Sequence, residues 1–328
     1  MKKTIYIYKS GTLMRRDNSL CLVEKNKNVH YIPIEQIDSI FCFGEITVNK
    51  RVYCLCNQYN VSIQYYNYYG QYIGRFVPKK YMTGKDMIPQ IKAYTNDETR
   101  LAIAKEITKA ELANMTALMK YYGRSVNELK EIITKLNGYQ NSIDGCFSIN
   151  RLLMLEAGAK KCYYGGFDLI LKDARYHFEK RMVQKEGNEI NTMMSYGYYL
   201  LYGNFLSAID QSPLMPNISF IHSITKSSDS LQFDLADILK PVIVDRMVLR
   251  LARKDMIRDE YFDHVKGRCY LNKDGLTFYA NAYENVLSKT VEIAHHCYSY
   301  KNVIFREVHQ LYDHMTKHSA YQPYIMGW

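Results

Sequence analysis

The first eighty residues alternate between short apolar runs and turn-forming pairs. TIYIYK (4–9), TLMRR (12–16), SLCLVEK (19–25), VHYIPI (29–34) and DSIFCF (38–43) are rich in β-branched and aromatic residues. Their separators, such as Ser10-Gly11 and Arg16-Asp17-Asn18, suit hairpins. Val52, Leu55, Cys56 and Tyr59 then recur at i, i+3, i+4 and i+7, the period of a short helix. VSIQYYN (61–67) and QYIGRF (71–76) return to strand around a Tyr68-Tyr69-Gly70 turn. Residues 1–80 are predicted to form a small mainly-β sandwich with one helix.

Around Pro78 the period changes. A linker over 81–98 leads into 99–328, where apolar positions follow helical spacing. Leu101, Ala104, Ile107, Glu111, Leu112, Met115, Leu118, Met119 and Tyr122 outline one long, mostly apolar stripe, with Asn96 or Asp97 as cap. Further helices are predicted near 125–137, 148–172, 190–209, 232–254 and 275–318. CYLNKDGLTF (269–278) reads as a hairpin turning at Lys273-Asp274-Gly275. The fold class is α+β multidomain, a small N-terminal β domain followed by a large C-terminal all-α domain. Residues 190–209 carry no charge and are long enough to span a bilayer. Asn191, Thr192, Ser195, Asn204, Ser207, two glycines and four tyrosines would be costly in lipid, so the stretch reads as a buried helix.

The 328 residues are 47% hydrophobic and 23% charged, which excludes a disordered, collagenous or disulfide-stapled chain. Charge adds a direction. The net +10 is uneven: residues 1–85 hold 13 Lys and Arg against 5 Asp and Glu, and the rest 30 against 28. Such a basic excess points to an anionic partner, nucleic acid first. The 31 tyrosines suit either stacking platforms or cores. Eight cysteines without a C-x-x-C pair read as small core residues in a reducing compartment. The apolar run before Lys9 is too short for a signal peptide, so a cytoplasmic protein without membrane association is expected.

Acids in apolar surroundings carry the most chemical information. Glu156 stands in RLLMLEAGAKKCYY (151–164), on a helical stripe, where a buried carboxylate costs several kcal/mol unless paired or metal-bound. His222 sits in NISFIHSITKSS, between two helices; Asp234 and Asp237 in LQFDLADILKP share one helix face. One Glu, one His and an Asp pair could hold Mg²⁺ or Mn²⁺, the imidazole favouring Mn²⁺. Each has a quieter reading. D-x-x-D near a helix start can be a cap, a loop His a surface residue, and Glu156 can pair with Lys160 four residues on. Spacing leaves both readings open. Lys160, Arg181, Lys240, Arg246, Arg250 and Arg253 are candidates for phosphate contact or for solvated helix faces. Five of nine histidines (295, 296, 309, 314, 318) gather late in the chain; His314 and His318 lack the acidic companion of a zinc-protease motif.

At these residues the chain resembles the CRISPR adaptation integrase, the Cas-one endonuclease family. GTLMRRDNSL, YIPIEQIDSIFCFGEITVN and YYNYYGQYIGRF are similar to that family's N-terminal β domain. INTMMSYGYYLLYGNFLSAI is similar to its N-A-x-x-S-x-x-Y-x-L-L helix, and FDLADILKPVIVDRMV to its D-L-A-[DE]-x-x-[KR]-P-x-x-V-D helix. The resemblance implies that Glu156, His222 and Asp237 are metal ligands and catalytic residues, with Asp234 in support. It also implies a Mg²⁺ or Mn²⁺ cofactor, a homodimer through the β domain, assembly with the small Cas-two protein, and double-stranded DNA (prespacer and CRISPR repeat) as substrate. The activity implied is insertion of new spacers by 3′-hydroxyl transesterification, as part of defence against foreign DNA. Three departures stand out. Ala157 replaces the family's Gly, Lys160 its usual Arg, and RMVQKEGNEIN lacks the proline pair of the family's R-x-R-x-P-P segment. A standalone metal-dependent nuclease acting on branched or repair DNA would share the ligands. A non-enzymatic scaffold would not need them.

Overall fold

The computed structural model describes residues 2–67, 70–79, 83–172, 175–183, 187–224, 229–317 and 319–327. It divides into two units, 1–82 and 83–328. In the first unit, β1 (Lys3–Ile7), β5 (Ile37–Cys42), β7 (Ser62–Tyr66) and β8 (Tyr72–Phe76) form one sheet, in that order. β4 (Val29–Ile32), β3 (Ser19–Glu24), β2 (Gly11–Arg16) and β6 (Ile46–Val48) form the other. The hairpins predicted for 11–34 are antiparallel ladders, whereas β1, β5 and β7 run parallel. α1 (Lys50–Tyr59) starts where the Asn49 side chain accepts the Arg51 and Val52 N–H groups. It ends at Asn60, which adopts the left-handed conformation at φ 56°. Leu13 and Leu20 from one sheet, Ile40 and Ile63 from the other, and Val52 and Leu55 from α1 share one core. Two tyrosines of the predicted 68–70 turn lie outside the described residues.

The second unit is mostly helical. The span read as a linker holds α2 (Gly84–Thr95), opened by a Thr83–Asp86 capping box. Pro89 sits inside it, so proline misled the sequence reading there. α3 (Asp97–Gly123) starts at the predicted cap, with Asn96 accepting the Thr99 N–H. α4 (Leu129–Asn141), α5 (Ile149–Tyr164) and the short α6 (Phe167–Ile170) follow, then α7 (Glu189–Asp210), the uncharged stretch, buried along nearly its whole length. No helix among the described residues is long and apolar enough to cross a membrane. α8 (Leu231–Leu239) runs into a π-helical turn, Lys240–Asp245, before α9 (Arg246–Arg253). Pro241 lacks the N–H that a regular helix would use, and the Arg246 N–H bonds back to the Pro241 carbonyl, five residues earlier.

Two hairpins interrupt the helices: β9 (Phe262–Val265) with β10 (Arg268–Leu271), and β11 (Thr290–Ile293) with β12 (His296–Ser299). The first turns at Lys266-Gly267, both at positive φ, and not at Lys273-Asp274-Gly275. Those three residues begin α10 (Lys273–Leu287) because Asn272 accepts the Gly275 N–H. The second turns at Ala294-His295, also at positive φ, and splits the long helix predicted over 275–318 into α10 and α11 (Tyr300–Lys317).

Packing is close around α7 and α3. A Cβ on Gly197 would lie 2.0 Å from the Tyr279 hydroxyl oxygen and 2.6 Å from Val244 Cγ1. Asn114 of α3 donates to the Ile238 carbonyl (2.7 Å) and the Tyr324 carbonyl (2.9 Å), and accepts the Met326 N–H (2.7 Å). Glu307 accepts the Tyr324 N–H at 3.0 Å. These bonds pin the segment 319–327 against α3 and α11.

Gly197→Ala should therefore lower stability by about 1–3 kcal/mol, the usual cost of overpacking, read as a reduced urea midpoint with unchanged slope. Glu307 supplies a pH test. Burial pushes its carboxyl up to about 8, against the pull of Arg306 and the Tyr324 N–H. Between its ordinary value and about 8 the folded chain holds a proton that the unfolded chain releases, so stability falls as pH rises through that window. Glu307→Gln keeps an acceptor for Tyr324 without the charge. By calorimetry it should melt with the parent near about pH 5 and several degrees above it near about pH 8.5. A lower melting temperature at the higher pH would refute the account.

Candidate metal centre

α3 packs against both α5 and α8, and each helix brings one carboxylate to the junction. Glu111, Glu156 and Asp237 are 1%, 5% and 2% exposed, and an oxygen from each lies within 4.8 Å of the others. The elements that aim them are ordinary. Ser148 caps α5 by accepting the Arg151 N–H, and Glu156 faces inward with Leu152 and Ala159. Asp237 faces inward with Leu235 and Ala236 on α8, which is buried throughout most of its length.

Lys160 closes the cluster. Its ammonium bonds to Glu156 Oε1 and to Asp237 Oδ2 (2.9 Å), and lies 3.0 Å from Glu111 Oε1. That last contact is an ion pair without hydrogen-bond alignment, so neither Glu111 oxygen has a hydrogen-bond partner among the described residues. Lys240 pairs with the other Asp237 oxygen. Burial alone would raise the Asp237 carboxyl, but the Lys160 and Lys240 ammoniums outweigh it and hold the group below its ordinary value. Glu111 goes the other way. Burial, reinforced by Glu156 and Asp237, raises its carboxyl well above the usual range despite Lys160.

His222 is held from behind. Asp234, fully buried, accepts the backbone N–H groups of Phe220 (2.6 Å), Ile221 (2.9 Å) and His222 (3.0 Å) and pairs with His222 Nδ1 at 2.7 Å. Its carboxylate therefore shapes the 220–222 loop and does not cap its own helix. With Nδ1 committed to Asp234, Nε2 is the nitrogen placed to meet a cation, an arrangement common among metal-binding histidines. Burial would lower the His222 pKa, but Asp234, Asp237 and Glu156 raise it above its ordinary value. His222 lies outside the tight carboxylate group while feeling the charge of two of its members.

The basic candidates divide. Lys160 and Lys240 face the carboxylates, and the Lys240 ammonium also lies 4.9 Å from the ring centres of Tyr198 and Tyr202. Tyr198 and Tyr163 donate to the buried Asp245 at 2.6 and 2.8 Å, and burial pushes that carboxyl up to about 6 against these bonds. Arg181 bonds to Asn191 Oδ1 and Ser195 Oγ and sits over the Tyr198 ring. Arg246 and Arg250 stand apart, sharing with Lys289 the wall of a cavity of about 270 Å³. Among the described residues a second mixed group, Glu189, His264 and Cys269, also has ligand atoms within 4.8 Å of one another. Of the late histidines, His295 and His296 belong to the β11–β12 hairpin, His314 bonds the Ser319 carbonyl, and His318 lies outside the described residues.

Glu111 is absent from the site read off the sequence. Its signal was present: a carboxylate interrupting the apolar stripe of α3, the same anomaly that singles out Glu156.

A β unit followed by a helical unit with buried carboxylates at a helix junction recurs in known proteins. The profile of the family described as CRISPR associated protein Cas1 matches residues 5–285, and the chain belongs to that family. The CRISPR-associated endonuclease Cas1 of Thermotoga maritima is 32% identical over 95% of this chain and 97% of its own. The CRISPR-associated endonuclease Cas1 2 of Thermodesulfovibrio yellowstonii is 30% identical over both full lengths. The solved Thermotoga maritima Cas1 protein superposes with a TM-score of 0.86 over 99% of each chain, at 31% identity. A casposase bound to its integration product shares the fold at a TM-score of 0.87, with 22% identity over 97% of this chain and 92% of its own.

The Asp234 arrangement makes a prediction. Asp234→Asn removes the largest of the charges that oppose burial, so the His222 pKa should fall, followed by NMR titration of the ring protons. An unchanged midpoint would mean that Asp234 does not set the charge state of His222.

Proposed function

We propose that this chain is a divalent-metal-dependent DNA integrase and endonuclease of CRISPR spacer acquisition. Convergence of Glu156 and Asp237 at a buried helix junction, beside His222, carries the reading. The donors fit the ion: hard carboxylate oxygens with one imidazole suit Mg²⁺ or Mn²⁺. When bound, such an ion supplies charge to the scissile phosphate and to the leaving oxygen. Glu156, His222 Nε2 and Asp237 would hold it, while Asp234 fixes the imidazole tautomer. The nucleophile is the 3′-hydroxyl of the incoming strand, so the chain needs no serine or cysteine triad, and joining conserves phosphodiester bonds.

Arg246 and Arg250, with Lys289, present a basic wall to DNA phosphates, and Arg181 and Lys240 stand nearer the carboxylates. Phosphate contacts position DNA without reading its sequence. Binding should weaken with salt by about 0.9 log unit per phosphate per decade, and Arg250→Ala should reduce that slope. In this reading the chain works as a homodimer with the small Cas-two protein on a prespacer and a CRISPR repeat, within antiviral defence in the cytoplasm.

The test is strand joining. With Mn²⁺, the purified protein should release one strand of a branched half-integration mimic and reseal the other. A free 3′-hydroxyl should be required in the forward direction. A 3′-deoxy end should abolish joining but leave binding nearly intact, and Glu156→Ala or Asp237→Ala should abolish both strand release and joining. Cleavage that ignores the blocked end and yields no joined product would instead establish a standalone nuclease, for which water is the nucleophile.

A further inference from the structure

Glu111 has no place in the ligand set just proposed, yet no other carboxylate in the cluster is as poorly satisfied. Both of its oxygens lie out of solvent; Oε1 meets the Lys160 ammonium at 3.0 Å without hydrogen-bond alignment, and Oε2 has no hydrogen-bond partner among the described residues. Leaving an ionisable oxygen in the state of Oε2 is costly unless a cation uses it. The Lys160 ammonium contacts Glu111, Glu156 and Asp237 at once, so it stands at the point where a cation would meet all three. Oxygens coordinating one Mg²⁺ at about 2.1 Å lie about 3–4 Å apart, within the 4.8 Å spread of these carboxylates. A divalent ion seated among those oxygens repels an ammonium at about 3 Å with twice the energy of one Lys160–carboxylate pair, and the lone pairs it takes are no longer available to Lys160. Lys160 has an exit, because its side chain is 24% exposed whereas that of Glu111 is 1% exposed.

We propose that Glu111 is a third carboxylate of the metal centre, and that the Lys160 ammonium holds the cation position until a divalent ion displaces it toward solvent. This rests on the reading of Glu156 and Asp237 as ligands. The exchange replaces a single positive charge by a double one and frees an ammonium at the edge of the site, where it can meet a DNA phosphate. Metal loading thus exposes a DNA contact that the metal-free protein conceals.

Lysine labelling of the full chain tests the exchange without a substitution. The wild-type protein, stripped with chelator, is treated with an acetylating succinimide ester with and without Mn²⁺, and each lysine is quantified by peptide mass spectrometry. Electron paramagnetic resonance of free Mn²⁺ reports binding in parallel. Mn²⁺ should raise Lys160 acetylation severalfold while leaving the exposed Lys254 unchanged. Glu111→Gln should weaken Mn²⁺ binding by about 10–100-fold, and Lys160→Met should tighten it, with circular dichroism confirming that each variant is folded. Mn²⁺ bound to wild type with Lys160 still protected would overturn the displacement, and wild-type affinity in a folded Glu111→Gln would overturn the third ligand. Failure of folded wild-type protein to bind Mn²⁺ at all would sink the metal reading of Glu156 and Asp237 itself, and this proposal with it.

Discussion

Three carboxylates and two ammoniums share a volume from which water is nearly excluded, and the helical unit is organised around balancing their charges. An ion withdrawn from water carries a penalty of several kcal/mol even after relaxation, and its partner compensates only at close range. α3, α5 and α8 therefore cannot slide past one another without separating Lys160 from at least one acid. Apolar packing holds the helices to the required tolerance: Leu112, Leu152, Leu235 and Ile238 are fully buried around the charges. Removing one charge leaves the others uncompensated, so the cluster acts as a unit, and single substitutions in it report on more than the altered side chain.

The π turn extends this arrangement outward. Pro241 forces one extra residue into the helical turn, which shifts everything after it by about 100° relative to an unbroken helix. Lys240, at its start, reaches back to Asp237 and rests on two tyrosine rings. Asp245, at its end, ties the hydroxyls of Tyr163 and Tyr198. One of those rings thus connects a buried acid to the ammonium beside the clustered carboxylates, and an irregular backbone sits where charge placement matters most.

Much of this was legible beforehand, and the reasons for the gaps are physical. Strands of the β unit announce themselves because turn residues separate them; only the three-residue β6 is too short to show a period. The long helices follow their apolar stripes. Hairpin β11–β12 stayed hidden because Ala294 and His295 occupy left-handed positions that sequence rules assign to glycine or asparagine. Pro89 suggested a linker where a capped helix begins. In the site, Glu156 stood out as a lone acid among apolar residues, whereas Glu111 merged into a stripe that was read only for its period. Periodicity shows which face is buried; it does not show that three buried faces meet.

Asn114 links residues more than two hundred positions apart in sequence, and this bears on how the molecule is made. It stands one helical turn from Glu111, and among the described residues its amide is satisfied by the carbonyls of Ile238 and Tyr324 and the N–H of Met326. At about 5–20 residues per second, a ribosome reaches residue 326 roughly 10–40 s after it has made α3. Although α4, α5 and α8 are made earlier, throughout that interval α3 lacks the last part of its cover, and the Asn114 amide lacks two of its partners. A nascent chain in this state is an aggregation risk and a client for chaperones. A helix junction completed only when distant segments close on α3 is not assembled by a chain interrupted midway.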